Sequence, residues 1–216
     1  MIFGKIEYLN LLPFHVFMKR FTRNNQQQMS MEHKKDVPQK INIAFLNRRV
    51  DAAFISSIKA QKSHYVNLGI IAKKSVKSVI AIPSKEHQKD AESASSNVLA
   101  NILHVKGKIL IGDKALRYAL KNDDYKDLAK LWNEKYQLPF VFALLCYHKE
   151  KKQYKKIEQE FLKREIKIPQ YLLKKASKRT DIEEKDIRKY LELISYKVDY
   201  KAKKAIKKFY KEAKKV

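Results

Sequence analysis

Asp51-Ala52-Ala53-Phe54-Ile55-Ser56-Ser57 is an apolar run that begins at a carboxylate and ends in two hydroxyls. Such a run reads as a strand buried on both faces, the kind found in a sheet covered by helices. A short helix is expected to follow it through Ala60. Upstream, Ile2 to Leu9 reads as another short strand, and Pro13 then opens a helix. Phe14, Phe17, Met18 and Phe21 recur at i, i+3, i+4, i+7 and give that helix a core face. The polar stretch Asn24–Lys35, with weak alternation around Met29 and Met31, reads as an edge strand. Asp36-Val37-Pro38-Gln39 reads as a helix start, with Asp36 as cap, Pro38 in the first turn and Gln39 at the reciprocal capping position. Ile41, Ala44 and Phe45 turn that helix inward.

Downstream, strands are expected at Val66–Ala72, Val76–Ile82, Lys108–Gly112 and Phe140–Tyr147. Helices striped by Val98, Leu99, Ile102 and Leu103, and by Tyr125, Leu128 and Trp132, alternate with them, the first capped by Ser95 or Ser96. After His148 the strand signals stop. Tyr154, Ile157 and Phe161 stripe one helix; Ile187, Tyr190, Leu191 and Ile194 a second; Ala202, Ile206, Phe209, Tyr210 and Ala213 a third. This alternation predicts an α/β fold with mainly parallel sheets flanked by helices and a helical C-terminal region. Two long strands, 76–84 and 139–148, flank a central block, as two strands crossing between two lobes would. The expected lobes are 1–77 plus 149–216, and a smaller 78–148.

The chain carries 48 Lys and Arg against 23 Asp and Glu, a net charge of +25. Residues 149–216 hold 24 of the basic residues and 11 of the acidic ones, about half of the excess. Only eight of the basic residues are Arg, the side chain suited to bidentate phosphate and base contacts. The charge reads as solvated Lys-rich helix faces, with a nucleic-acid module on the basic helices as a competing idea that lacks any groove-reading motif. No apolar run is long enough to span a membrane, and the start reads as a strand rather than a signal peptide, so a cytoplasmic location is expected. The lone Cys146 lies in an apolar run and reads as a buried thiol.

In open α/β sheets ligands bind beyond the carboxyl ends of strands, so chemistry is sought in the loops there. Several such junctions carry small polar residues: Asn10, Ser56 with Ser57, Ser95 with Ser96, and Asp113 after Gly112, while Ser78 sits on the first crossing strand. Hydroxyls and amides at helix starts make a cradle for an anion. Each alone also reads as a helix cap. No phosphate loop, dinucleotide fingerprint, nucleophile elbow or zinc spacing is present. His15 and Glu7 are open candidates for a base.

Tyr8-Leu9-Asn10-Leu11-Leu12-Pro13 resembles the opening motif of the chorismate dehydratases of futalosine-type menaquinone biosynthesis. Further similar segments follow in order: Asp36-Val37-Pro38, Val50–Ile58, Val76-Lys77-Ser78-Val79, Ser93–Ser96, Leu110–Leu116 and Leu138–Ala143. Residues 2–147 carry the resemblance, and the later helices match in pattern. It implies a two-lobed, type II periplasmic-binding-protein-like fold. It also implies conversion of chorismate to 3-[(1-carboxyvinyl)oxy]benzoate and water, with no metal or organic cofactor. By the family's motif, Asn10 and Ser78 act on the substrate, and Ser56, Ser57, Ser95, Ser96 and Asp113 bind it. The sequence departs from the family in two places. Only Lys106-Gly107 joins a helix to the next strand where relatives have a longer insert. Ala94 and Ser95 stand where the family often has Arg and Thr, so Lys77 is a candidate replacement cation. A non-catalytic anion-binding protein or sensor of the same fold is the alternative, and the enzyme that cleaves cyclic futalosine is a further one. Oligomeric state is not legible.

Overall fold

The computed structural model describes residues 2–23 and 32–216. The expected strand around Met29 and Met31 therefore falls partly outside the described residues, and a strand is present at its end. Strand β1 (Ile2–Lys5) leads through a 3-10 turn (Leu9–Leu11) into helix α1 (Leu12–Arg23), so the strand stops four residues short of the expected Leu9. Phe14, Phe17, Met18 and Phe21 are buried, as their spacing predicts. Then come β2 (Glu32–Lys35), α2 (Pro38–Leu46), β3 (Ala52–Ser56) and β4 (His64–Ala72). Val37, not Asp36, stands at the start of α2 and makes no side-chain cap; the Asp36 carboxylate accepts the Val37 amide at 2.9 Å and pairs with Lys40 at 3.8 Å. The Ser57–Ala60 stretch is a hydrogen-bonded turn rather than a helix. A methyl on Gly4 would come within 2.9 Å of both Ala53 and Ile41, so glycine lets α2 lie directly on β1 and β3.

From Ala72 the chain crosses to a second sheet, made of β5 (Val79–Ile82), β6 (Lys108–Ile111) and β7 (Lys126–Asp127). Helices α3 (Ala94–Ile102), α4 (Gly112–Lys121) and α5 (Leu128–Tyr136) belong to this part of the chain. Pro139 then introduces β8 (Phe140–Tyr147), which returns to the first sheet between β3 and β4. The C-terminal region adds α6 (Lys151–Leu162), α7 (Gln170–Thr180), α8 (Glu184–Glu192), β9 (Ile194–Lys197) and α9 (Tyr200–Ala213). Ile194 thus opens a strand, not the end of a helical stripe, and completes a sheet of order β2-β1-β3-β8-β4-β9.

The sheets are mixed rather than mainly parallel. Among the described residues β1 pairs in parallel with β2 and β3, and the remaining ladders are antiparallel. The reason is topological. The chain leaves the larger sheet at the carboxyl end of β4 and re-enters at that same end, so β8 must run backwards along it. Pairing of Ala72 with Phe140 and of His64 with Tyr147 records this. Strand β8, assigned from sequence to the smaller unit, is therefore hydrogen-bonded wholly within the larger sheet. Cys146 lies on it, fully buried, and burial pushes its thiol pKa up. One continuous apolar core runs through both parts, with Trp132 edge-on to Phe140 and Phe209.

Candidate active site

Residues from both sheets line one cavity of about 70 Å³. Ile6, Tyr8, Asn10 and Leu11 come from the turn after β1, Phe54 and Ser56 from β3, and Phe142 and Ala143 from β8. Across from them stand Val76, Ser78 and Val79, Ser93 and Ser96 around the start of α3, and Ile111 and Gly112 at the start of α4. None of the lining residues carries a charge at neutral pH. The wall is apolar apart from hydroxyls, one amide and a phenol.

The turn that presents Asn10 is tied from several sides. The Leu9 amide donates to Asp113 Oδ1 at 3.0 Å, and Leu11 N donates to the Tyr8 carbonyl at 3.0 Å. Tyr196, on β9, donates its hydroxyl to the Asn10 carbonyl at 2.7 Å. Arg179, from α7, pairs with the other Asp113 oxygen at 2.9 Å. Ser78 sits at the end of the crossing segment. Its carbonyl accepts the Gly112 amide at 2.8 Å. One Asp127 oxygen accepts the Val76 and Lys77 amides at 2.8 and 2.7 Å, while its other oxygen caps α5. That clamp holds Lys77 at φ +57°, a left-handed conformation that costs a residue with a side chain roughly 1–2 kcal/mol.

Three lining hydroxyls share one arrangement. Ser56 Oγ accepts from Asn42 Nδ2 at 2.9 Å, Ser78 Oγ from the Tyr190 hydroxyl at 2.9 Å, and Ser96 Oγ from Ser93 at 2.7 Å. Each serine oxygen receives a hydrogen bond, which leaves its own proton available to a further acceptor such as one in the cavity. Ser93, not Ser95 or Ser96, caps α3 by accepting the Ser96 amide.

The expected site residues divide accordingly. Asn10, Ser56, Ser78 and Ser96 meet at the cavity. Ser57 and Ser95 lie behind its wall, with their hydroxyls 3.1 Å apart. Asp113 also stands behind it, holding the Asn10 turn; burial raises its pKa against the lowering effect of Leu9 and Arg179. Lys77 is exposed and off the lining. His15 and Glu7 face a separate surface groove: His15 Nε2 donates to the Ile6 carbonyl at 2.8 Å, and Glu7 pairs with Lys5 and Lys35. Tyr8 is the lining residue that bridges the two halves, donating its hydroxyl to Glu92. Burial first, and then that carboxylate, raises its pKa, so it stays protonated.

Asn42, Ser93 and Tyr190 were not singled out as site residues by sequence. Tyr190 had a helical-stripe signal alone, because its hydroxyl works from a core position.

The chain matches a family model described as menaquinone biosynthesis over residues 1–106 and 103–215. It is 46% identical over 218 residues to a protein of Campylobacter jejuni named chorismate dehydratase, covering 99% of this chain and 98% of that one. Among solved structures it is similar to a protein of Archaeoglobus fulgidus (TM-score 0.74, 14% identity, 99% and 96% covered). It is similar also to a Candida albicans protein described as having the generic periplasmic binding protein fold (TM-score 0.57, 13% identity, 100% and 90% covered). The periplasmic aliphatic sulphonate binding protein SsuA of Escherichia coli shares the fold at TM-score 0.55 and 11% identity, covering 98% and 86%. The chain has the periplasmic-binding-protein-like fold and belongs to the menaquinone biosynthesis family.

Proposed function

We propose that this protein is a chorismate dehydratase, a carbon–oxygen lyase that forms 3-[(1-carboxyvinyl)oxy]benzoate and water. The observation that carries the reading is the neutral cavity lined by serine hydroxyls whose oxygens already accept a bond from the protein, combined with the near full-length likeness to the Campylobacter protein. Chorismate brings two carboxylates. Hydroxyl and amide donors suit them without the tight binding that a buried salt bridge would give to the ground state.

The elimination removes one ring proton and the ring hydroxyl, and the product is aromatic. A base is needed, and the lining offers none: its titratable residue, Tyr8, is held protonated. The base in this reading is the carboxylate of the substrate's own enolpyruvyl arm. Asn10 orients that carboxylate, and Ser78 donates to the ring carboxylate or to the departing hydroxyl. The protein supplies orientation and a water-poor site. Ser56 and Ser96 hold the rest of the anion, with Ser57, Ser95 and Asp113 supporting the wall.

Two lobes belong to the same proposal: 1–77 with β8 and 149–216 on one side, and 78–139 on the other. So does a cytoplasmic setting, to be checked by fractionation. Among the described residues no helix is long and apolar enough to cross a membrane.

The test is incubation of purified protein with chorismate, followed by chromatography. The enolpyruvyl benzoate should form. Asn10→Ala and Ser78→Ala should each lower kcat by roughly 10²–10³, as removal of a preorganised donor does. An enzyme pKa in the pH–rate profile that vanishes in His15→Ala would sink the substrate-as-base version. Saturable chorismate binding without turnover would make the protein a sensor instead.

A further inference from the structure

We propose that Tyr190 is a positioning residue of the dehydration, acting through Ser78 from the C-terminal helix α8. The inference rests on the dehydratase reading and extends its machinery to a residue that does not line the cavity.

Tyr190 is fully packed in the core, and its hydroxyl is the polar end of an otherwise apolar anchor. That hydroxyl donates to Ser78 Oγ at 2.9 Å. Asn10 lies close enough to the same phenol to lower its pKa against the larger effect of burial. The two residues expected to act on substrate, 68 positions apart in sequence, therefore both lie beside one buried phenol, and Ser78 is bonded to it. Burial raises the phenol's pKa, so it remains a donor throughout the working pH range.

The backbone of Ser78 is already fixed, by Gly112 on its carbonyl and by Asp127 on the two preceding amides. The remaining freedom is rotation of its hydroxyl. A serine whose oxygen accepts from Tyr190 cannot send its own proton there, so that proton is directed to the cavity. The order runs from the Tyr190 hydroxyl to the Ser78 hydroxyl, and on to the substrate oxygen. Successive donation along such a chain polarises each member and makes the last proton a better donor. Without the phenol proton, the Ser78 oxygen loses the bond that fixes and polarises its hydroxyl, and its transition-state contact weakens. Substrate binding, which uses several other donors, is little changed.

The experiment measures kcat and KM for chorismate in wild type, Tyr190→Phe, Ser78→Ala and the double variant, with chorismate Kd by calorimetry. Tyr190→Phe keeps the ring and removes only the donor. Its kcat should fall about tenfold, with KM and Kd within about twofold, and it should cause no further loss in the Ser78→Ala background. A wild-type rate in Tyr190→Phe, or an equal proportional loss with and without Ser78, overturns the proposal while leaving the dehydratase reading intact. A rise in KM with kcat unchanged also overturns it, since Tyr190 would then serve ground-state binding. Wild-type protein that leaves chorismate unchanged overturns both.

Discussion

Leu9 and Asp113 are joined across 104 positions of sequence by a 3.0 Å hydrogen bond from backbone amide to carboxylate. The bond fixes the turn that carries Asn10, and Arg179 holds the carboxylate from its other side. Burial raises the Asp113 pKa above its unfolded value, which sets the sign of a pH effect. The folded state keeps this proton more tightly. Stability from it is present below the unfolded pKa and is lost as pH rises through the folded pKa. Asp113→Asn cannot titrate. Urea unfolding of both proteins at several pH values should show wild type losing stability relative to the variant across that window. Parallel curves would remove Asp113 as the source.

Gly112 takes φ +66°, and a methyl there would stand 2.7 Å from the Tyr8 ring. Gly112→Ala should lower stability by about 1–2 kcal/mol from the backbone alone. It should also push the ring into the cavity and raise KM for chorismate. Thermal melts and steady-state kinetics check the two effects separately.

Asp127 uses both oxygens, one on the crossing segment before Ser78 and one on the start of α5. Asp127→Asn retains one acceptor oxygen and must abandon one set of amides. The expected cost is about 1–3 kcal/mol for buried donors left unpaired. The kcat should fall with it, because Ser78 follows directly on the released amides. Full activity in a folded Asp127→Asn would mean that the clamp does not position Ser78.

Tyr8 links the turn after β1 to the segment before α3 through Glu92, closing one side of the cavity. Tyr8→Phe keeps the ring against Gly112 and removes that link. A hydrogen bond to a charged group contributes roughly 1.5–3 kcal/mol, so this wall of the cavity should be held less firmly. KM for chorismate should rise about tenfold, one factor of ten per about 1.4 kcal/mol. Faster amide exchange across residues 8–11 would accompany it.

Where a signal was local, it was legible. The 3.6-residue stripe of α1 and the apolar run of β3 each match their burial. Asn10, Ser56, Ser78 and Ser96 fell at chain positions where loops meet the cavity. What failed was set by distant partners. Ile194 continues a helical stripe in sequence, yet it pairs with Ala72 as a strand because β4 offers an open edge there. Direction of β8 depends on where the chain re-enters the sheet, which no local pattern encodes. Ser57, Ser95 and Asp113 have the same chemistry as lining residues and differ only in facing backwards. Asn42 and Tyr190 sit at helix core positions, so their polar work was masked by their packing.

The placement of β8 between β3 and β4 also bears on how the protein is made. As the chain emerges from the ribosome, β3 and β4 leave a slot one strand wide, and its occupant arrives about 75 residues later. At roughly 5–20 residues per second, the two facing edges stay unpaired for about 4–15 s. Unpaired edges are templates for association with other chains. A nascent chain stalled before Phe140 therefore presents two of them at once, both open to other chains until β8 is made.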